Sequence, residues 1–289
     1  TNVVPKGLRV SARNLSGFRF PPHAPDEDRE KVLEFALRAI EGNENKNSFK
    51  GRFVYLDDID SLNRNFLVER HLVSIEFMQD LPSRGLFISG DERVCIMVNE
   101  EDHLRIQAIT SGFAAEDSFD LANNVDEMLS KTLEFDFDAD FGYLTACPTN
   151  VGTGLRASVL IHLPGLNLTK DIDSVVPRIT KLGLAVRGFY GEGTEVSGNL
   201  FQISNQTTLG RTEADIVESI QQVTNQIIEY ENEAREKLFN GARIQIEDKI
   251  WRALGILQTA RSLTSDEAMN MLSAVRLGYG MGVIKDIRL

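Results

Sequence analysis

Three short apolar runs, Gly85–Ile88, Arg93–Val98 and Leu104–Ile109, follow one another with only glycines and polar or charged residues between them. Runs of this length, rich in Val, Ile, Leu and Phe, read as strands. No helical segment separates them, so they predict a meander rather than a βαβ series. This restricts the chain to an antiparallel sheet that other elements must cover.

Those covering elements are legible as helical periodicity. From Asp26, a candidate N-cap, Val32, Leu33, Ala36, Leu37 and Ile40 recur at helical spacing until Gly42. Gly51–Leu56 reads as a strand, Ser61–Val73 as a short helix and Ala115–Leu133 as a longer one. Strands follow at Tyr143–Cys147, Ala157–Leu163, Leu184–Phe189 and Leu200–Ser204, with a helix at Asp171–Leu182 between the middle two. Thr212 with Asp215 resembles a capping box, and Ile216, Ile220, Val223, Ile227 and Ile228 form one apolar stripe of a helix to Phe239. Helices near Ile246–Ala260 and Ser265–Leu277 complete the reading. The expected class is α+β, an antiparallel β-sheet flanked by α-helices. Residues 1–25, rich in Pro, Gly and Arg and without periodicity, read as an N-terminal arm before a catalytic domain over 26–289.

A chain of 289 residues that is 42% apolar can bury a large core. Its formal charge of -12 disfavours nucleic acid as a partner. No apolar run approaches the roughly 20 residues that span a bilayer, and Thr1–Arg13 lacks the apolar segment of a secretory signal. With Cys95 and Cys147 as the sole cysteines, the expected setting is cytoplasmic and reducing, with free thiols. The acidic run Glu134–Asp140 reads as a solvated turn.

Three segments place charged or glycine-rich turns at the ends of apolar strands, where rigid scaffolds present functional groups. They are Asn99-Glu100-Glu101-Asp102-His103-Leu104-Arg105, Cys147-Pro148-Thr149-Asn150-Val151-Gly152-Thr153-Gly154-Leu155-Arg156, and Arg187-Gly188-Phe189-Tyr190-Gly191-Glu192-Gly193-Thr194-Glu195. Taken singly, each is an ordinary turn. Together they offer one arginine apiece, and Arg105, Arg156 and Arg187 converging would make a cationic pocket suited to a triphosphate.

The string Val98–Arg105, with Cys147–Thr153 downstream, resembles the ATP:guanidino phosphotransferase family of creatine and arginine kinases. The stretches Leu67–Ser74 and Gly198–Gln206 resemble the bacterial protein-arginine kinases within it. The resemblance runs from about Ala12 onward. It implies a kinase, a transferase with an ATP-binding site and Mg²⁺, that makes phosphoarginine by protein arginine phosphorylation. It also implies protein substrates bearing arginine, an activator protein, chaperone-protease machinery and a homodimer.

Residue by residue, the resemblance implies that Glu101 and Glu192 hold the acceptor guanidinium and help remove its proton, with Cys147 beside it. A guanidinium has a pKa above about 12, so its nitrogen attacks only if oriented and deprotonated as the bond forms. Arg105, Arg156 and Arg187 correspond to arginines that clamp ATP phosphates. Ala157, Ser158, Val159, Leu160, Gly188, Phe189, Tyr190 and Gly191 continue these motifs along the nucleotide site. His71 resembles a nucleotide-contacting histidine and reads equally as a core residue. Cys147 reads alternatively as a small thiol at a strand end. His103 and His162 are expected to be structural, with no second ligand at metal spacing.

Family members open with Ser-x-Arg-x-Arg before Ala-Arg-Asn. Alignment on Ala12-Arg13-Asn14 puts Leu8 and Val10 at the two arginine positions. A one-residue insertion at Ser11 would return Arg9 to the second. The protein-arginine kinases continue into a tail with a phosphoarginine-binding motif, whereas this sequence ends at Leu289. Three functions stay open: a protein-arginine kinase, a kinase of a free guanidino metabolite, and a non-catalytic module using the old pocket for binding.

Overall fold

The structure is a computed structural model that describes residues 3, 6–43, 49–79, 81–112, 115–188 and 197–285. Its contacts divide the chain into two compact units, one of residues 7–157 and 206–217, the other of 1–6, 158–205 and 218–289.

In the first unit the expected meander is present. Strands β1 (Lys6–Arg13), β2 (Gly51–Tyr55), β3 (Gly85–Ser89), β4 (Val94–Val98) and β5 (Leu104–Ser111) lie in the order β2-β3-β4-β5-β1. β3 pairs antiparallel with β2 and β4, and β4 with β5, Met97 standing opposite Arg105. Helices α1 (Asp26–Glu41), α2 (Ser61–Glu69) and α3 (Ala115–Leu129) cover it, and a small hairpin joins β6 (Phe137–Asp138) to β7 (Gly142–Tyr143).

The sheet is buried on both faces, so β4 is apolar throughout, Val-Cys-Ile-Met-Val. Val94, Ile96 and Val98 pack with Val32 and Ala36 of α1 and Val125 and Leu129 of α3. Cys95 and Met97, on the other face, pack with Leu56, Leu72 and Phe77. Cys95 is a buried thiol in no disulfide among the described residues.

Within the stretch expected as an arm, Lys6–Arg13 form β1, whose backbone enters the sheet. Its charges obscured it: Arg9 and Arg13 are each about 1% exposed, Arg9 with Nη2 2.7 Å from Glu213 and Arg13 with Nη2 2.8 Å from Asp126. Two further expectations are corrected. Of Tyr143–Cys147 only Tyr143 is strand, as the second residue of β7; beyond it Leu144 N–H donates to the Asp136 carbonyl and Ala146 N–H to the Asp102 side chain. The helix from Ser61 stops at Glu69, where His71 adopts φ 58°, a left-handed turn that cannot continue it.

β8 (Leu155–His162) begins in the first unit, with Ala12 N–H donating to the Gly154 carbonyl at 2.9 Å, and runs on into the second. The second unit adds α4 (Pro164–Leu168), α5 (Ile172–Lys181), β9 (Leu184–Gly188), β10 (Leu200–Asn205), α7 (Arg243–Thr259) and α8 (Ser265–Gly280), with α6 (Glu213–Gly241) starting in the first unit and belonging to the second from Glu218. β10 is central, pairing antiparallel with both β8 and β9. The predicted capping box opens α6, with Thr212 N–H donating to Asp215 Oδ2 and Asp215 N–H to Thr212 Oγ1, both at 3.1 Å. α7 and α8 pack through Ile246, Ile250, Ala253, Ala274 and Val275. α4, missed in the sequence as too short and Pro-Gly rich, is held by Glu231 of α6, whose carboxylate accepts Gly165 and Leu166 N–H at 2.9 Å.

Candidate active site

The first unit contains a cavity of about 60 Å³ lined by Val10, Ala12, Glu100, Glu101, Asp102, Arg105, Asn150, Gly154 and Arg156. Chemically it joins three carboxylates and two guanidiniums, so both signs of charge meet at one place.

Each wall has a local cause. β4 and β5 are joined by the turn Asn99–His103, where Asn99 takes φ 60°. Its amide donates to the Arg29 and Ser83 carbonyls, and Arg84 Nε donates to the Asn99 carbonyl at 2.9 Å. The turn is therefore anchored before the carboxylates begin. Asp102, 2% exposed, ties three segments together, its Oδ1 accepting Asn14 Nδ2 at 2.6 Å and Ala146 N–H at 2.7 Å. Asn14 Oδ1 in turn accepts His103 N–H at 2.9 Å. His103 Nδ1 accepts Leu15 N–H, which leaves Nε2–H to donate to the Arg19 carbonyl at 2.9 Å. Burial pushes the His103 imidazole down to about 4, so it is neutral and structural, as expected.

On the opposite wall Gly154 has φ 63°, and a Cβ there would stand 2.6 Å from the Ala12 carbonyl and 2.7 Å from Arg13 Nη1. Only glycine allows that approach of β8 to β1. Thr208 secures the adjoining loop, its hydroxyl bonding the Thr149 and Val151 carbonyls.

The neighbouring carboxylates differ. Burial first, then Asp102 and Glu100, raise the pKa of Glu101, against Arg105 and Arg156. Burial also acts to raise Glu100, but Arg105, the Glu101 N–H, Ser74 and Arg84 outweigh it and hold Glu100 below the usual carboxylate range. Glu101, which is exposed, can accept a proton, whereas Glu100 stays ionised. Arg105 has donors to spare: its Nη1 is 3.5 Å from Glu100 and its buried Nε has no acceptor among the described residues.

Of the residues singled out in the sequence, the cavity brings together Glu101, Arg105 and Arg156. Cys147 belongs to the same unit, before the 3-10 turn Pro148–Asn150, with Sγ 3.0 Å from Thr149 Oγ1. His71 lies at the end of α2, its carbonyl accepting Gln107 Nε2 at 2.6 Å, and does not line the cavity. Nor does Arg9. Strand alternation puts Leu8, Val10 and Ala12 on one face of β1 and Arg9, Ser11 and Arg13 on the other, and it is Val10 and Ala12 that reach the cavity. Burial lowers the Arg9 pKa despite Glu213.

Ala157 is buried at the edge of the first unit, while Ser158, Val159 and Leu160 belong to the second. There Leu160 stands opposite Gln202 and Gln202 opposite Arg187, one row across β8, β10 and β9. Ser158 Oγ accepts Gln202 Nε2 at 3.0 Å. Gly188 ends β9, and Phe189, Tyr190, Gly191 and Glu192 lie outside the described residues. Sequence reasoning gave no role to Glu100, Asp102, Asn150 or Ser74. The first three stood inside the quoted motifs; Ser74, at the end of Leu67–Ser74, carried no signal of its contact with Glu100.

Comparison with known proteins identifies the family. The C-terminal catalytic domain of the ATP:guanido phosphotransferases matches residues 31–234, and the protein-arginine kinase McsB C-terminal domain matches residues 243–289. The protein-arginine kinase of Caldanaerobacter subterraneus subsp. tengcongensis is 44% identical over 273 residues, 94% of this chain and 81% of the relative. That of Pelotomaculum thermopropionicum is 46% identical over 286 residues, 99% and 80%. Among solved structures, lombricine kinase superposes with a TM-score of 0.71 at 25% identity, over 83% of this chain and 68% of that one. The chain belongs to the ATP:guanido phosphotransferase family.

Proposed function

We propose that this chain is a protein-arginine kinase, transferring the γ-phosphate of ATP to the guanidinium group of arginine residues in proteins. The observation that carries the reading is the cavity in which Glu101, a carboxylate with raised proton affinity, shares walls with Arg105 and Arg156. The activity named for the relatives, protein-arginine kinase, supports the acceptor class.

In this proposal Arg105 and Arg156, with Arg187, bind the phosphates and stabilise the charge that spreads over the moving phosphoryl group. Glu101, with Glu192, orients the acceptor guanidinium. As a guanidinium nitrogen forms its bond to the γ-phosphorus, the bond from that phosphorus to the bridging oxygen breaks. ADP leaves with the electron pair, and the nitrogen's proton passes to Glu101. Cys147 sits beside the acceptor, and Ala157–Leu160 with Gly188–Gly191 line the nucleotide. Among the described residues no group of three or more His, Cys, Asp or Glu is arranged to hold a metal. In this reading Mg²⁺ would arrive on the ATP phosphates, held there with water. Residues 26–289 form the proposed catalytic domain, and the 1–25 arm lends it Val10 and Ala12. Arg9 and His71 would act from outside the described cavity.

The activator protein, the chaperone-protease machinery, the homodimer and the cytoplasmic setting belong to the same proposal. Among the described residues no helix is long and apolar enough to cross a membrane. One observation favours the non-catalytic reading: the β1 wall of the cavity is Val10 and Ala12, with no cation. Incubation with labelled ATP, Mg²⁺ and an arginine-rich protein tests the choice. Acid-labile label on the protein, lost in Glu101→Gln and not displaced by free arginine, supports the kinase. No label on any acceptor refutes it.

A further inference from the structure

Glu100 lies beside the proposed base yet is 7% exposed, too enclosed to serve as a second proton acceptor in contact with bulk water. Its carboxylate is occupied on both oxygens. Oε1 accepts the Ser74 hydroxyl at 2.7 Å; Oε2 accepts Glu101 N–H at 3.0 Å and faces Arg105 Nη1 at 3.5 Å. Ser74 is itself oriented, because its oxygen accepts Phe77 N–H at 3.2 Å, which leaves its one hydrogen for Glu100. The 3-10 turn at Glu76–Met78 is held from the other side by Arg84, whose Nη1 donates to the Glu76, Phe77 and Gln79 carbonyls. A rigid turn thus holds a hydroxyl, the hydroxyl holds a carboxylate, and the carboxylate meets both a phosphate-clamp candidate and the backbone of the candidate base.

We propose that Glu100, fixed by Ser74, is a positioning residue of phosphoryl transfer, aiming the Arg105 guanidinium into the cavity and fixing the backbone from which the Glu101 side chain departs. Three observations support the two roles. The Arg105 contact is long enough to orient the guanidinium without consuming its donors, since Nε still lacks an acceptor among the described residues. The Glu101 N–H bond fixes the backbone from which that side chain departs. The environments of the two carboxylates also drive their proton affinities in opposite directions, the arrangement that separates a fixed anion from a working base. This inference rests on the kinase reading for its catalytic half only; its nucleotide half stands on Arg105 alone.

The test uses the full chain with Glu100→Gln, Glu100→Asp and Ser74→Ala. Two quantities are measured: Mg·ATP affinity by calorimetry and the pH profile of kcat/KM for an arginine-bearing protein. Glu100→Gln should weaken Mg·ATP roughly 10-fold, the worth of one charge-assisted contact. It should also move the acid limb of the profile to lower pH, because removing a neighbouring negative charge lowers the proton affinity of Glu101. Glu100→Asp, which keeps the charge, should restore the limb. Ser74→Ala, which keeps every charge, should weaken Mg·ATP with the limb in place. A merely structural role would depress the rate alike at every pH and leave the limb unmoved. Wild-type affinity with an unmoved limb in Glu100→Gln would overturn the proposal. If that variant does not fold, unchanged affinity in Ser74→Ala together with a shifted limb in Glu100→Asp overturns it instead. If the wild-type chain transfers no phosphate, the kinase reading fails separately, and the calorimetry decides the Arg105 role by itself.

Discussion

Asp102 separates two explanations of why a buried carboxylate is present beside the site: its charge, or its acceptor oxygen. Replacing it by Ala removes the acceptor of Ala146 N–H, 2.7 Å away, and one of two acceptors of the Asn14 amide, which keeps the Leu144 carbonyl at 3.1 Å. A donor left without a partner costs about 1–3 kcal/mol, and a second lost charge-assisted bond adds about 1 more, so Asp102→Ala should lose about 2–4 kcal/mol. At roughly 2–4 °C per kcal/mol for a chain of this size, Tm should fall by about 4–16 °C. Asp102→Asn keeps an oxygen in place of Oδ1. Burial raises the Asp102 pKa, against the Ala146 and Asn14 bonds, so the ionised form is held at a cost that Asn does not incur. That variant should stay within about 1 kcal/mol of wild type. Thermal and urea denaturation at pH 7 decide between the two. If Asn destabilises as much as Ala, charge holds the turn; if Ala is within about 1 kcal/mol, the triple junction of Asn14, Asp102 and Ala146 does little.

Arg156→Ala should weaken Mg·ATP binding by roughly 10- to 100-fold, the loss of a charge-assisted contact of about 1.5–3 kcal/mol; equal affinity by calorimetry would remove Arg156 from the phosphate site. Gly154→Ala should lower stability by about 2 kcal/mol or more, since a left-handed φ and a Cβ 2.6 Å from the Ala12 carbonyl act together; a melting curve like that of wild type would contradict the close approach. His103, neutral with its pKa held at about 4 against 6.5 unfolded, binds fewer protons folded than unfolded in that window. Stability should therefore be full above about pH 6.5 and fall as pH drops towards 4, and His103→Gln should flatten the fall; a slope unchanged by the substitution would exclude His103 as its source.

Much of the architecture was legible because it rests on periodicity. The β3-β4-β5 meander, α1, α5 and the three C-terminal helices appear within a few residues of where apolar spacing put them. β1 was not, because its buried arginines are neutralised by Glu213 and Asp126, acids 204 and 113 residues away, a pairing no local window contains. Tyr143–Cys147 misled for the converse reason: past Leu144 its backbone turns to a side chain, Asp102 accepting Ala146 N–H, rather than to a neighbouring strand. In the site, family resemblance carried Glu101, Arg105 and Arg156 to one cavity. It could not reveal Ser74 or Asn14, whose roles depend on which oxygen each hydrogen bond reaches.

The alternation along β1 has an evolutionary corollary. Arg9 and Arg13 are locked into ion pairs behind the strand, so exchanging them would leave a buried acid stranded. Val10 and Ala12, on the other side and themselves 5% and 7% exposed, line the cavity, so a longer side chain there would enter that space. The charge of this cavity can therefore drift, up or down, by single codon changes at position 10 while the ion pairs behind the strand remain untouched.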